Sequence, residues 1–359
     1  MQELFSKLGV LRSIYRARSR NGMLVEKQNN ISWLLQGRTH VNIAAVTGVA
    51  EVLVNDEGIY LIANNIEASR LMREEFPFEL QVKEYFWYET DQRSRIISSL
   101  TEGIFLKDAE CENEIREARL MMTPEQKTTY IKLGRDTADA MQEACFALTQ
   151  GMTEFKAAAI VMEKCMERGI EPIVVLVAAD ERINLYRHPL PTKKTIDDYV
   201  MVVIGGRRYG QTACLTRFVA FSEPSEKIKR RRDAVLNLDV QLIEETRPGN
   251  STGRIFTQLV DAYKSEGFPD EWKLHHQGGL TGYNSREIKA GFDGDIPVKT
   301  GQVYAWNPSI TGFKAEDTFI VGDGSNLVLT ETGQLPCKAV KYMGKVVQRP
   351  DILVRKPMK

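Results

Sequence analysis

The sequence predicts an α+β protein of two domains: a smaller α/β domain over residues 1–118, and a larger domain over residues 119–359 that opens on two long helices and continues in buried strands. Three observations predict it. The chain has 359 residues, more than one ordinary core of about 100–200 residues accommodates. Strand-like runs alternate with helical stretches as far as about residue 118, the order expected of an α/β unit. Beyond that point the apolar residues recur every three or four positions through two long segments before apolar runs of strand length return.

Taken in order, "MQELFSKLGVLRSIYRARSRNG" has apolar residues at helical spacing interleaved with Arg and Lys, without the continuous apolar stretch of a signal peptide. Strand character begins at Met23. Residues 50–64, "AEVLVNDEGIYLIAN", read as two β-branched runs about an Asn-Asp-Glu-Gly turn, a hairpin. A helical stretch, "NIEASRLMREEF", and a strand candidate, "LQVKEYFWYE", follow. His40 is the single histidine of this domain and reads as structural. Thr123 then offers a cap, and Pro124 takes the first position of a helix whose apolar spacing runs to Leu148. Gly151 breaks it. Residues 153–168 form a second amphipathic helix closed by Gly169. The segments "EPIVVLVAA", "DYVMVVIGG", "TACLTRFVAF", "QVYAWNP" and "EDTFIVG" supply strands, and residues 251–267 a further helix, so that a helix-helix-strand-strand order can occur twice.

Composition narrows the function. The 48 basic and 48 acidic residues balance, so nothing electrostatic points to nucleic acid or an anionic membrane. The dense basic run "KIKRRRD", residues 227–233, reads as a solvated helix start. No apolar run approaches the roughly 20 residues needed to cross a bilayer. Five cysteines, an odd number without CxxC spacing, argue against a disulfide framework and fit a reducing cytoplasm. The partners expected are a small molecule or short peptide and a second copy of the chain.

Four segments in order carry a resemblance. "GMTEFKAAAIV", "YRHPLPTKKTIDDYVMVVIGG", "HHQGGLTGYN" and "TGQVYAWNPSITGFKAEDTFIV" resemble stretches of the creatinase, aminopeptidase P and methionine aminopeptidase family, whose catalytic domain has the pita-bread fold. Creatinase and prolidase-like members also carry a preceding α/β domain. The resemblance implies that metal-dependent relatives hold two divalent ions on two aspartates, a histidine and two glutamates, whose hard oxygens share a hydroxide-generating water. Carried over with Gly205, Gly210, Thr216 and Arg217 in frame, the aspartates fall at Val203 and Cys214, the histidine at His276 with Gly279 after it, and the glutamates at Asn307 and Glu316. A histidine that assists peptide cleavage in many members falls at Tyr283. With three of five ligands replaced, no metal and no other cofactor is expected.

Creatinase, within the same resemblance, hydrolyses a C–N bond without metal by means of a histidine, and His188 in "LYRHPLP" matches that residue. The leading expectation is a metal-independent, creatinase-like hydrolase of a small polar C–N compound. His188 would be its general acid/base, and His276, Glu316, Tyr283, Asn307 and Cys214 its substrate-binding residues. The alternative is a catalytically inert pseudo-peptidase that binds a peptide or protein. Two further ideas concern Cys214: a single zinc on Cys214, His276 and Glu316, or a thiolate activated by His276. Which of His275 and His276 faces the pocket is open. Arg207, Arg208 and Arg217 are candidate carboxylate binders, and the resemblance implies a homodimer.

Overall fold

The computed structural model describes residues 2–355, which fall into two compact units: one up to Thr123 together with Tyr209–Gln211, the other from Pro124 onward without that turn.

The first unit opens on the helix Gln2–Ala17. Strands β1 (Gly22–Lys27), β2 (Thr47–Asn55), β3 (Ile59–Asn64), β4 (Gln81–Tyr85) and β5 (Leu106–Lys107) form a sheet ordered β4-β3-β2-β1-β5. The expected hairpin is β2–β3, antiparallel with Val54 opposite Ile59. Its turn closes because the Asn55 Oδ1 accepts from the amides of Glu57 and Gly58 at 3.0 and 2.9 Å. Leu24, Leu53, Tyr60, Ile62 and Ile97 pack as its core. The stretch "NIEASRLMREEF" is helical as expected, an α turn, Ala68–Arg70, running straight into a π turn, Leu71–Glu75. Phe76 precedes Pro77 and is extended, at φ −108° and ψ 138°, as a residue before proline prefers, so the helix cannot continue. His40 lies half-buried in the loop before β2.

In the second unit the helices Pro124–Ala147 and Glu154–Met166 precede β6 (Glu171–Ala179), β7 (Tyr199–Arg208) and β8 (Gln211–Ala220). Thr153 caps the second helix by accepting from the Lys156 amide at 3.2 Å. A second pair of helices, Glu226–Glu245 and Thr252–Ser265, precedes β9 (Gly278–Thr281), β10 (Ile288–Lys289), β11 (Val303–Trp306), β12 (Ser309–Ile310), β13 (Phe313–Lys314), β14 (Asp317–Ile320) and β15 (Leu327–Val328). The helix-helix-strand order therefore recurs. The run at 227–233 opens the first helix of this pair, and the charges of Lys229, Arg230 and Arg232 are met by Glu226, Glu266 and Asp351. After β16 (Cys337–Tyr342) and β17 (Lys345–Pro350), β18 (Leu353–Val354) completes a sheet ordered β18-β8-β7-β6, beside one ordered β10-β9-β11-β14-β15. Sequence periodicity did not anticipate this C-terminal hairpin or the length of the helix Glu226–Glu245.

Two glycines fix the middle of the second sheet. Gly278 and Gly279 have φ of +94° and +143°, and a Cβ on them would stand 2.2 Å from the Ala305 carbonyl oxygen and 2.3 Å from that of Ile288. Only residues without a side chain let β9 pass between β10 and β11. A buried ion network locks the same region to the other sheet. Arg217 on β8 donates to Asp317 at 2.8 Å, Arg349 on β17 donates to Asp317 and to Asp239, both at 2.6 Å, and Arg217 also reaches Thr332 at 3.0 Å and the Thr330 carbonyl at 2.8 Å. Arg217 thus serves the protein's own Asp317 and is no ligand-binding arginine. Arg207 and Arg208 are likewise taken, by Glu171 and Asp136, each at 2.7 Å.

Candidate active site

The loop bearing His188 is clamped from several sides. Glu154, fully buried at the start of its helix, accepts from the Ala179 amide at 2.8 Å, from the Thr192 amide at 2.9 Å and hydroxyl at 2.7 Å, and from Arg182. Arg182 donates on to the Leu190 carbonyl at 3.0 Å. Arg187, next to His188, pairs with Glu271 and Thr311. A histidine set between such fixed points has a defined position.

That position is the rim of a cavity of about 110 Å³ lined by Val174, Leu176, Val203, Ile204, Gly205 and Cys214 on one wall and by His188, His276, Ser285, Arg286, Asn307, Lys314 and Glu316 around the rest. The five positions assigned to metal ligands by the resemblance therefore come together around one cavity. His276 lines it, whereas His275, buried, reaches His188 instead, with the two Nε2 atoms 3.0 Å apart. The His188 Nδ1 makes no hydrogen bond to the described residues.

Glu316 dominates the electrostatics. Its Oε1 accepts from Arg286 at 2.7 Å, and its Oε2 from Lys314 at 2.9 Å and from the Thr216 hydroxyl at 3.0 Å. Burial alone would raise the carboxyl, but Lys314 and Arg286 outweigh it and pull the group down to about 2. Burial, helped by these cations, lowers the imidazoles. Burial first and Lys314 second lower His275 to about 2; burial and Arg286 lower His276 to about 4; burial and Lys314 lower His188. Burial pushes the Cys214 thiol up, only partly offset by Arg286, whose Nη1 lies 3.6 Å from the sulfur.

These contacts correct several expectations. Cys214 is a protonated thiol beside a guanidinium, not a thiolate poised for attack. The zinc set of Cys214, His276 and Glu316 does not assemble, because both carboxylate oxygens already serve cationic side chains. Among the described residues, the side chains close enough to share an ion are instead His188, His275 and His276. Tyr283 does not line the cavity. It is buried and its hydroxyl accepts from Gln126 at 2.8 Å, a partner on a helix far away in sequence. Two lining residues escaped sequence reasoning, Arg286 and Lys314. Lys314 stands two positions before Glu316, a spacing that places side chains on one face of extended chain, whereas no local pattern singles out Arg286.

The donor set present does not suit two divalent ions. Val203 offers no lone pair and Asn307 no charge. The one carboxylate, Glu316, is already shared between two fixed cations that would repel a third within a few ångströms.

Architecture and cavity together define a pita-bread protein with a preceding α/β domain, the layout of prolidases. The sequence profile of metallopeptidase family M24 matches residues 130–330, more than half of the chain, and the chain belongs to that family. A Xaa-Pro dipeptidase of Pyrococcus furiosus is 22% identical over 231 residues, 61% of this chain and 65% of that protein. The matched stretch thus spans just under two thirds of that relative's length. The prolidase from Pyrococcus horikoshii superposes with a TM-score of 0.76 at 19% identity, over 91% of this chain and 98% of that one. The N-terminal domain of the FACT complex subunit SPT16 from Cicer arietinum has the same fold, with a TM-score of 0.69 at 13% identity over 92% and 95% of the two chains.

Proposed function

We propose that this M24 protein is a metal-independent hydrolase of a small polar C–N compound, with His188 as its general acid/base. One observation carries the reading: Arg286 and Lys314 stand within 2.7 and 2.9 Å of Glu316, so side-chain cations hold the carboxylate that a metal pair would need. A neutral imidazole at the open rim of the cavity suits proton transfer near neutral pH. The His188 Nδ1 takes a proton from water as its oxygen bonds to the substrate carbon, then gives that proton to the nitrogen as the C–N bond breaks. Elemental analysis after dialysis against a weak chelator tests the metal claim. No paired divalent ions are expected, and about two equivalents of manganese, cobalt or zinc per chain would overturn it.

A second reading, an inert binder of a peptide or protein, draws on the His188–His275 contact. If that bond keeps the ring turned so that Nδ1 stays away from a bound ligand, no proton transfer follows. A screen of small amidines, ureas and cyclic amides separates the two, since a binder turns over none. Either protein is proposed to be a homodimer, as the resemblance implies, and sedimentation should give twice the 40.7 kDa chain mass. A single chain at micromolar concentration would refute the pairing.

A further inference from the structure

The cavity gathers more positive charge than it neutralises, and its hydrogen bonding is incomplete in the same place. Arg286 and Lys314 face one carboxylate, Glu316, which leaves an excess of one positive charge beside neutral imidazoles. Arg286 spends Nη2 on Glu316 and Nη1 on the Ser285 carbonyl and the Cys214 sulfur, while its buried Nε–H has no partner. Asn307, 2% exposed and also lining the cavity, has an Oδ1 acceptor with none. Buried polar atoms of native proteins are overwhelmingly paired, and a buried charge in excess attracts a counter-charge. One donor, one acceptor and one unbalanced cation, on side chains that line the same space, describe a ligand toward which those buried atoms turn on binding.

We infer that the cavity is an anion site: it binds a small monoanion whose carboxylate accepts from Arg286 Nε and Lys314 and whose neighbouring N–H donates to Asn307 Oδ1. The polarity is the reverse of a metal centre in the same cavity, with fixed cations in the protein and the negative charge on the ligand. This deepens the reading above, on which it rests, by naming the substrate class as carboxylate-bearing with an adjacent amide or amine N–H. The volume of about 110 Å³ restricts the bound portion to a few heavy atoms, so a longer compound would have to leave its remainder at the mouth beside His188.

The test is calorimetric titration of chelator-treated full-length protein with N-acetylglycine and with its neutral counterpart N-acetylglycinamide. N-acetylglycine should bind, and the amide at least about tenfold more weakly, the scale of one charge-assisted hydrogen bond. Arg286→Gln should weaken N-acetylglycine by a similar factor. Glu316→Gln should strengthen it, because both cations are then unshared, and this sign is the decisive one: a metal centre using Glu316 would lose affinity for Mn²⁺ or Zn²⁺ in that variant. Should Arg286→Gln fail to fold, the comparison of acid with amide and the near-isosteric Glu316→Gln remain. Equal binding of acid and amide, or weaker N-acetylglycine binding by Glu316→Gln, overturns the inference. Failure of the hydrolase reading looks different. Carboxylate-selective binding with no turnover of any C–N compound removes the hydrolase and supports the anion site, whereas turnover of neutral compounds without carboxylate preference keeps the hydrolase and removes the anion site.

Discussion

His188→Ala is expected to lower turnover of the first C–N compound that the wild-type protein hydrolyses by roughly 10²–10⁴-fold, the contribution of a positioned general acid/base, while affinity for that compound changes far less. The loop geometry supports so large an effect. Arg187 and Glu154 fix the chain on either side of His188, so the imidazole meets substrate without first being ordered. The pH profile should carry the same signature. Burial and the charge of Lys314 lower the His188 pKa below its ordinary 6.5. The base form therefore persists into mildly acidic solution, and the acid limb of kcat/KM should lie below pH 6.5 in the wild type and vanish with the side chain. Turnover that survives His188→Ala intact would end the creatinase-like mechanism and favour a role for this residue in binding alone.

Asp317→Asn is expected to cost about 3–5 kcal/mol of folding stability, as removing one partner of a buried ion pair does, read from urea unfolding with an unchanged slope. Asp317 accepts from two guanidiniums, those of Arg217 and Arg349. The substitution leaves Arg217 with hydroxyl and carbonyl partners but no counter-charge, and Arg349 with Asp239 alone. The exposed pair Lys345–Glu244 is the control, with side chains 60% and 24% accessible; Lys345→Ala should fall within about 1 kcal/mol of the wild type. A loss under about 1 kcal/mol for Asp317→Asn would mean that water reaches the network and screens it.

Much of this site was legible before the structure. Val203, Cys214, His276, Asn307 and Glu316 were located through nearby glycines and short strand segments, because the frame that holds them is a backbone frame: β9 needs Gly279 wherever His276 is to stand. What escaped was chemistry set by distant packing. Position in the chain puts Tyr283 at the pocket, but its hydroxyl accepts from Gln126 on a helix far along the chain, a pairing no local pattern encodes. Arg217 looked like a ligand-binding arginine in an apolar strand, and only the fold brings Asp317 to it. No metal-ligand pattern in the sequence marks Arg286 and Lys314, because such a pattern is made of lone pairs and these two side chains offer protons instead. In the first unit the helical stretch "NIEASRLMREEF" is legible, and Pro77 explains its end, since Phe76 before it is extended.

The passage of β9 between its neighbours has a consequence for how this pocket tolerates change over generations of substitution. His276 is placed by a contact of bare backbone on Gly278 and Gly279 with the Ala305 and Ile288 carbonyls, not by the fit of apolar side chains. Drift in the surrounding core, one aliphatic residue for another, therefore leaves the histidine where it is. Fragility is concentrated instead at two positions that carry no side chain, so the side chains around the cavity can change in charge while its shape is kept.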